Sequence, residues 1–352
     1  MRICLLLNRT GGGGAEVVGV RWAQGLVARG HDVRLLTYAE PEATAVAGVR
    51  TLGYPDGTRG RRLAHLPGWV RQQVREHRAE AAVGVMTFAN LVLQAGLSGS
   101  GIPVVLSEHN LPSNLRAEGP GGIAKDVVAR AAYRRADAVV ACSHSVAACM
   151  GARYGVASER LWVVPNPAAV GGRELPSGPA GRLLFVGRLA EQKRPEAFVD
   201  LLAELGARGR PAQGVVLGAG PLEQHVRRRA EQRGVWLELR GWQADWRLHA
   251  QAGDVLVLPS LQEGFGNVLV EAAECGLPAV AVSQALGVAD AVLPGVTGVL
   301  SPSGAPRYLA DAVEQAWELP PIDPELVLRW TARFSAASAA QVLEQVLEAV
   351  HR

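Results

Sequence analysis

The chain has 352 residues, 48% hydrophobic and 20% charged, a globular composition that excludes a disordered or collagenous polymer and is long enough for two ordinary domains. Lys and Arg exceed Asp and Glu by only 36 − 33 = 3, too little to argue for nucleic acid, although residues 1–170 carry 19 − 12 = +7 and residues 171–352 carry 17 − 21 = −4. Cys4, Cys142, Cys149 and Cys275 show no CxxC and no His-linked metal spacing, and read as buried thiols of a reducing, cytoplasmic compartment.

"MRICLLLN" is too short an apolar run for a signal peptide and reads as a buried first strand. The loop "NRTGGGGAE" then sets Gly11, Gly12, Gly13 and Gly14 ahead of the helix "AEVVGVRWAQGLVARG". A tight turn explains one or two glycines, whereas four in a row let backbone N–H groups approach a phosphate or a sugar. The loop is neither GxGxxG nor a P-loop. After the strand "DVRLLTY", the basic segment 59–78 spaces Leu63, Leu66, Trp69, Val70 and Val74 along one helical face. An ordinary surface helix fits that pattern, and contact with an anionic membrane surface stays open. Residues 81–107 hold no charge, yet they divide into the strand "AAVGVM", a helix near 88–98 and the strand "IPVVLSEH", which is sheet interior and not a membrane span. The polar triplet Glu108, His109, Asn110 closes that strand, at the carboxyl end where α/β folds keep their chemistry. His31 and His144 look structural. A helix near 122–135 and the strand "ADAVVACS" follow.

"VVPNPAAVGGRELPSGPAGR" interrupts the alternation with prolines and glycines and reads as a linker. The pattern restarts with "RLLFVGR", a helix from Pro195, "QGVVLG", a helix from Pro221, "VWLELRG", "DVLVLPS", a helix from about Asn267, "PAVAVS" and "TGVLS". "SAASAAQVLEQVLEAV" at the end has the spacing of an amphipathic helix. The expectation is α/β: two doubly wound Rossmann-like domains, residues 1–170 and 171–330, facing each other across a cleft, with helix 331–352 crossing back to the first.

Three motifs lie in the second half. In "FVGRLAEQKRPE", Arg188 follows Gly187 at a strand end, and Lys193 precedes a proline-led helix; it is one of two lysines against 34 arginines, which suggests a need for a compact ammonium. "LGAGPLEQH", with Gly218 and Gly220, is only half of a dinucleotide fingerprint, which argues against a nicotinamide oxidoreductase. "LQEGFGNVLVEAAECG" places Glu263 and Glu271 around Gly264, Phe265, Gly266, Asn267 and Val268. As continuous helix the two carboxylates would stand roughly 12 Å apart, too far for a close acid/base pair, so they suit two parts of one long ligand. No Asp-x-Asp is present to hold a metal.

Together "VGRLAEQKRPE", "GAGP" and "PSLQEGFGNVLVEAAECGLPAV" resemble the family 4 glycosyltransferases of the GT-B fold. The resemblance implies a retaining, metal-independent transfer of a hexose or N-acetylhexosamine from a nucleoside-diphosphate sugar, UDP favoured, to a glycan, glycolipid or small-molecule hydroxyl, with no cofactor. It implies that Glu271 takes the ribose, Glu263 the transferred sugar, Arg188 and Lys193 the leaving diphosphate, and His109 the sugar near the reaction centre. Gly12, Gly13, Gly14, Gly187, Gly218, Gly220, Gly241 and residues 264–268 would line the donor site, and Gly11, Glu108 and Asn110 the acceptor side on the first domain. The chain departs from the family pattern at "PNP" and in "SQALGVADAV", which has fewer glycines and an aspartate, Asp290, where many relatives carry glutamate. A catalytically silent sugar-nucleotide-binding subunit and a GT-B phosphorylase are the alternatives.

Overall fold

The computed structural model describes residues 1–11, 13–39, 46–55, 59–111, 120–177 and 181–351, with backbone only for 59–63 and 120–121. They form two compact units: Met1–Pro167 with Arg333–Arg352, and Ala168–Ala332.

The first unit holds strands β1 (Arg2–Leu7), β2 (Asp32–Thr37), β3 (Arg50–Gly53), β4 (Ala81–Val85), β5 (Val104–Glu108), β6 (Ala138–Ala141) and β7 (Leu161–Val163). Helices α1 (Gly14–Ala28), α2 (Arg59–Glu76), α3 (Thr87–Leu97), α4 (Pro120–Arg135) and α5 (His144–Cys149) alternate with them. The strands make one parallel sheet in the order β3-β2-β1-β4-β5-β6-β7. Every residue of β4 and β5 is buried, which is why β4 and the first three residues of β5 are apolar; the buried Ser107 and Glu108 close β5.

The second unit repeats the plan with β8 (Arg182–Val186), α6 (Pro195–Ala207), β9 (Gln213–Leu217), α7 (Glu223–Arg233), β10 (Leu237–Leu239), β11 (Val255–Leu258), α8 (Asn267–Glu274), β12 (Ala279–Val282), β13 (Gly298–Ser301), α9 (Pro306–Trp317) and α10 (Pro324–Thr331). Its parallel sheet runs β10-β9-β8-β11-β12-β13. Both sheets reverse direction beside their first strand, the topological switch point at whose carboxyl edge such folds bind ligands. At the opposite end of β8 and β11, Arg182 forks onto the fully buried Asp254 with two bonds of 2.9 Å.

Helix α11 (Ala336–His351) belongs to the first unit. Ala339, Leu343, Val346 and Leu347 enter the same core as Trp22 and Leu26 of α1. A Cβ on Gly25 would stand 2.6 Å from the Ala340 methyl, so the α1 glycine is what permits that approach. Glu344 accepts from Arg29 Nε at 2.7 Å and bonds His31 Nε2 at 2.6 Å, and chiefly the Arg29 bond holds its carboxyl below the usual range.

Three expectations change. The helix after β9 starts at Glu223, not Pro221, because the Leu222 amide is tied to the Leu189 carbonyl at 3.1 Å and the intervening residues form a turn. Gly14 is already helical, and Gly13 is the extended N-cap of α1. On α2, Leu66, Val70 and Val74 are buried within the protein, so its apolar face is not free for a membrane; the Leu63 side chain lies outside the described residues. No helix among the described residues is long and apolar enough to cross a membrane.

Candidate active site

In the second unit the chain leaving β8, residues 187–194, and the chain leaving β11, residues 259–266, emerge side by side at the switch point. They are stitched together: the Leu261 amide donates to the Gln192 carbonyl at 2.8 Å, and Gln192 Nε2 donates to the Gln262 carbonyl at 3.0 Å. This brings Lys193 onto Glu263, Nζ to Oε1 at 2.5 Å. The Ser260 hydroxyl donates to the same oxygen at 2.6 Å. Glu263 is 6% exposed, and its ammonium and hydroxyl partners supply the charge-assisted bonds that a carboxylate needs there. Arg188 is exposed and forms no ion pair among the described residues.

Gly266 has φ +95°, the left-handed conformation that lets the chain turn from the loop into α8. The turn after β11 buries Phe265 and leaves Asn267 and Val268 partly exposed at the start of α8, which has no side-chain cap. Glu271 lies four residues further on, and its Oε2 accepts the indole N–H of Trp246 at 2.6 Å. Trp246 sits in the short helix Trp246–His249 that follows β10. Glu263 and Glu271 thus have separate partners, a cation for one and an indole for the other.

Gly218 and Gly220 have a local reason to be glycine. A Cβ on Gly218 would lie 1.8 Å from the Gly187 carbonyl oxygen, and one on Gly220 2.4 Å from that of Leu189. Backbone bonds from Gly187 to Leu217 (3.1 Å) and from Leu189 to Ala219 (3.0 Å) hold the two segments in contact. Gly187 itself has φ +152°, and Gly241, at φ +68°, turns the chain after β10 in open space.

In the first unit the polar triplet after β5 separates. Glu108 and His109 are neighbours on an extended chain, so their side chains take opposite faces of the sheet. Glu108 turns inward, 4% exposed, where Tyr133 donates to it, Asn90 Nδ2 donates at 3.1 Å and Thr87 adds a third bond. Burial pushes its carboxyl up to about 7 against these bonds. Enclosed in this way, the Glu108 carboxyl has its hydrogen bonds met within the first unit and presents little surface. His109 is 6% exposed, tilted against Trp22, with Nε2 2.8 Å from the Ser107 hydroxyl and Nδ1 3.0 Å from Asn166 Oδ1. Burial lowers its pKa to about 4, so the imidazole is neutral at pH 7 and both ring nitrogens are engaged. Asn110 is partly exposed, with its amide toward Met86 Sδ at 3.9 Å. Gly11 has open space around it, and a Cβ on Gly13 would meet the flexible Glu16 carboxylate. Gly12 lies outside the described residues.

Trp246, Ser260 and Asn166 were not singled out from sequence. Trp246 and Asn166 act by bonds between segments distant in the chain, for which neither periodicity nor spacing gives a signal; Ser260 acts within its own loop, three residues before Glu263 in "PSLQE", and was the nearest to visible.

Two doubly wound sheets, with paired carboxylates and cations gathered at the carboxyl edge of the second, are the architecture of a GT-B transferase. The comparisons agree. Residues 12–170 match the model described as Glycosyltransferase Family 4, and residues 180–318 that of Glycosyl transferases group 1. A D-inositol 3-phosphate glycosyltransferase of Thermobispora bispora is 30% identical over 295 residues, 72% of this chain and 67% of the relative. The alpha-D-kanosaminyltransferase of Streptomyces kanamyceticus is 31% identical over 163 residues, and there the match spans 45% of this chain and only 41% of the relative's length. Among solved structures, Anabaena HepE in complex with UDP-glucose superposes with a TM-score of 0.79 at 20% identity over 99% of this chain and 100% of that one. The lipopolysaccharide outer core galactosyltransferase WaaB gives 0.74 at 19% identity, over 99% of each chain. The chain belongs to the family 4 glycosyltransferases and has the GT-B fold.

Proposed function

We propose that the protein transfers a hexose or N-acetylhexosamine from a nucleoside-diphosphate sugar to a hydroxyl of a glycan, glycolipid or small-molecule acceptor, with retention and without a metal. The observation that carries this reading is the joining of Lys193 to Glu263 by loops from the two strands that flank the switch point, with Glu271 on the helix between β11 and β12. Glu271, oriented by Trp246, suits the ribose hydroxyls, and Glu263 suits those of the transferred sugar. As the bond from the anomeric carbon to the phosphate oxygen breaks, negative charge grows on the departing diphosphate. Two cations, the exposed Arg188 and the Glu263-anchored Lys193, stabilise that charge more in the transition state than in the ground state. The acceptor oxygen bonds to the anomeric carbon from the same face, and its proton passes to the departing phosphate. His109, neutral and with both ring nitrogens held by Ser107 and Asn166, is not set up for proton transfer.

UDP is favoured, and the UDP-glucose complex of HepE supports that preference by similarity of fold alone. The metal-free reading rests on the absent Asp-x-Asp and on the two cations that take its place. The test is release of nucleoside diphosphate from a panel of UDP-, TDP- and GDP-sugars with a mixed acceptor panel, with and without EDTA. Chelator-insensitive turnover with one nucleotide series supports the reading. Nucleotide binding without turnover on any acceptor would instead support a silent subunit. Arg188→Ala should lower turnover by ~10²–10³, the usual effect of losing one such stabilising donor.

A further inference from the structure

We infer that Leu286 is a donor-selecting residue of this site, an apolar wall beside Glu263 that favours a deoxygenated nucleoside-diphosphate sugar over its fully hydroxylated counterpart. The inference rests on the donor-site reading above and adds the substrate class.

Leu286 follows the short helix Ser283–Ala285 at the carboxyl end of β12, with φ +40° and ψ −62°. Only Arg78, Met86 and Arg194 share a positive φ among the described non-glycine residues. A branched, bulky side chain meets a steric penalty in this region that glycine does not, so such outliers persist where their surroundings enforce them. Here the surroundings are backbone. The Glu263 amide donates to the Ala285 carbonyl at 3.1 Å, and the Gly287 amide donates to the Glu263 carbonyl at 3.2 Å. Glu263 and Leu286 are therefore paired in a parallel bridge. A Cβ on Gly287 would fall 2.2 Å from the Gly264 carbonyl oxygen, so the loop cannot lift away without breaking this contact.

The strain is not offset by burial. Ala285 and Val288 on either side are fully buried, yet the Leu286 side chain is 46% exposed. An exposed leucine in a conformation suited to glycine does nothing for the core. Outside its own short turn, it is bridged to Glu263, whose carboxylate is already held by Lys193 and Ser260. A sugar bound at Glu263 would then find hydrogen-bonding groups at the carboxylate and an aliphatic surface at Leu286. A ring hydroxyl pressed against that surface loses water and gains no partner, whereas a methylene or methyl group loses nothing.

The test measures the affinity of UDP, UDP-glucose and its 3-, 4- and 6-deoxy analogues, and the TDP series in parallel, by calorimetry on the full chain and on the Leu286→Gly and Leu286→Asn variants. Asparagine offers hydrogen bonds in place of the aliphatic surface. The native protein should bind one deoxy analogue roughly 10–200-fold more tightly than the parent sugar, the range expected for one hydrophobic contact. That ratio should collapse toward one in Leu286→Gly and reverse in Leu286→Asn, while the affinity for sugar-free UDP or TDP and the melting temperature do not fall. The same deoxy preference in all three proteins, or a native preference for the hydroxylated parent, overturns the inference and leaves the donor site standing. Failure of every nucleotide to bind would overturn both.

Discussion

Replacing Glu108 with glutamine should change the pH dependence of stability in a way that the native protein conceals. Glu108 and His109 are adjacent, both buried, and shifted in opposite senses: the carboxyl from 4.5 up to about 7, the imidazole from 6.5 down to about 4. A carboxyl with a raised folded pKa binds more protons folded than unfolded between the two values. Its contribution is therefore full below about 4.5 and lost as pH rises through about 7. A histidine with a lowered folded pKa binds fewer protons folded, so its contribution is full above about 6.5 and lost as pH falls through about 4. Each shift corresponds to about 3 kcal/mol at 1.36 kcal/mol per pH unit, and from about pH 4.5 to 6.5 the two nearly cancel. Glutamine keeps an acceptor for Tyr133 and Asn90 but cannot ionise, so only the histidine trend remains. Unfolding by urea at half-unit steps from pH 4.5 to 8 should show Glu108→Gln gaining about 2 to 3 kcal/mol on the native protein across that range. Parallel profiles would refute the assignment of a neutral, buried carboxyl to Glu108.

Trp246→Phe removes the indole donor to Glu271 and keeps the ring; donor KM should rise about tenfold, the cost of one bond to a charged group, with kcat little changed. A fall in kcat alone would place Trp246 away from nucleotide binding. Gly218→Ala forces a methyl onto the Gly187 carbonyl and should cost about 1–3 kcal/mol by denaturant unfolding, together with a loss of nucleotide affinity, since residues 187–194 must move. Unchanged stability would mean that the approach of the two backbones is looser than described.

The two parallel sheets were legible because strands buried on both faces must be continuous apolar runs, and the helices between them keep the 3.6-residue period. Residues 183–194 and 259–271 were legible as a candidate site because glycine, lysine and paired glutamates cluster directly after strands. What an amphipathic pattern does not contain is the surface it faces: α2 has the apolar stripe of an interfacial helix, yet Val70 and Val74 lie in the protein interior. Glu108 and His109 are adjacent in sequence yet have separate partners, Tyr133 and Asn90 for one and Ser107 and Asn166 for the other, a parting that the two-residue alternation of an extended chain already implies. Pro221 looked like a helix start because proline suits the first turn, but the Leu222–Leu189 bond delays the helix by two residues.

The return of α11 to the first unit has a consequence for biosynthesis. Trp22 and Leu26 emerge from the ribosome before the second unit, while Leu343, Val346 and Leu347, which complete their core, emerge after it. The first unit cannot close as it is made; it must wait, with an apolar groove on α1 uncovered, while the whole second unit is synthesised and free to fold. The core of the first unit can thus be completed only after the second unit has been translated. A stop codon before residue 336 would leave a chain whose second unit is complete and whose first is permanently open, a natural client for chaperones and proteases.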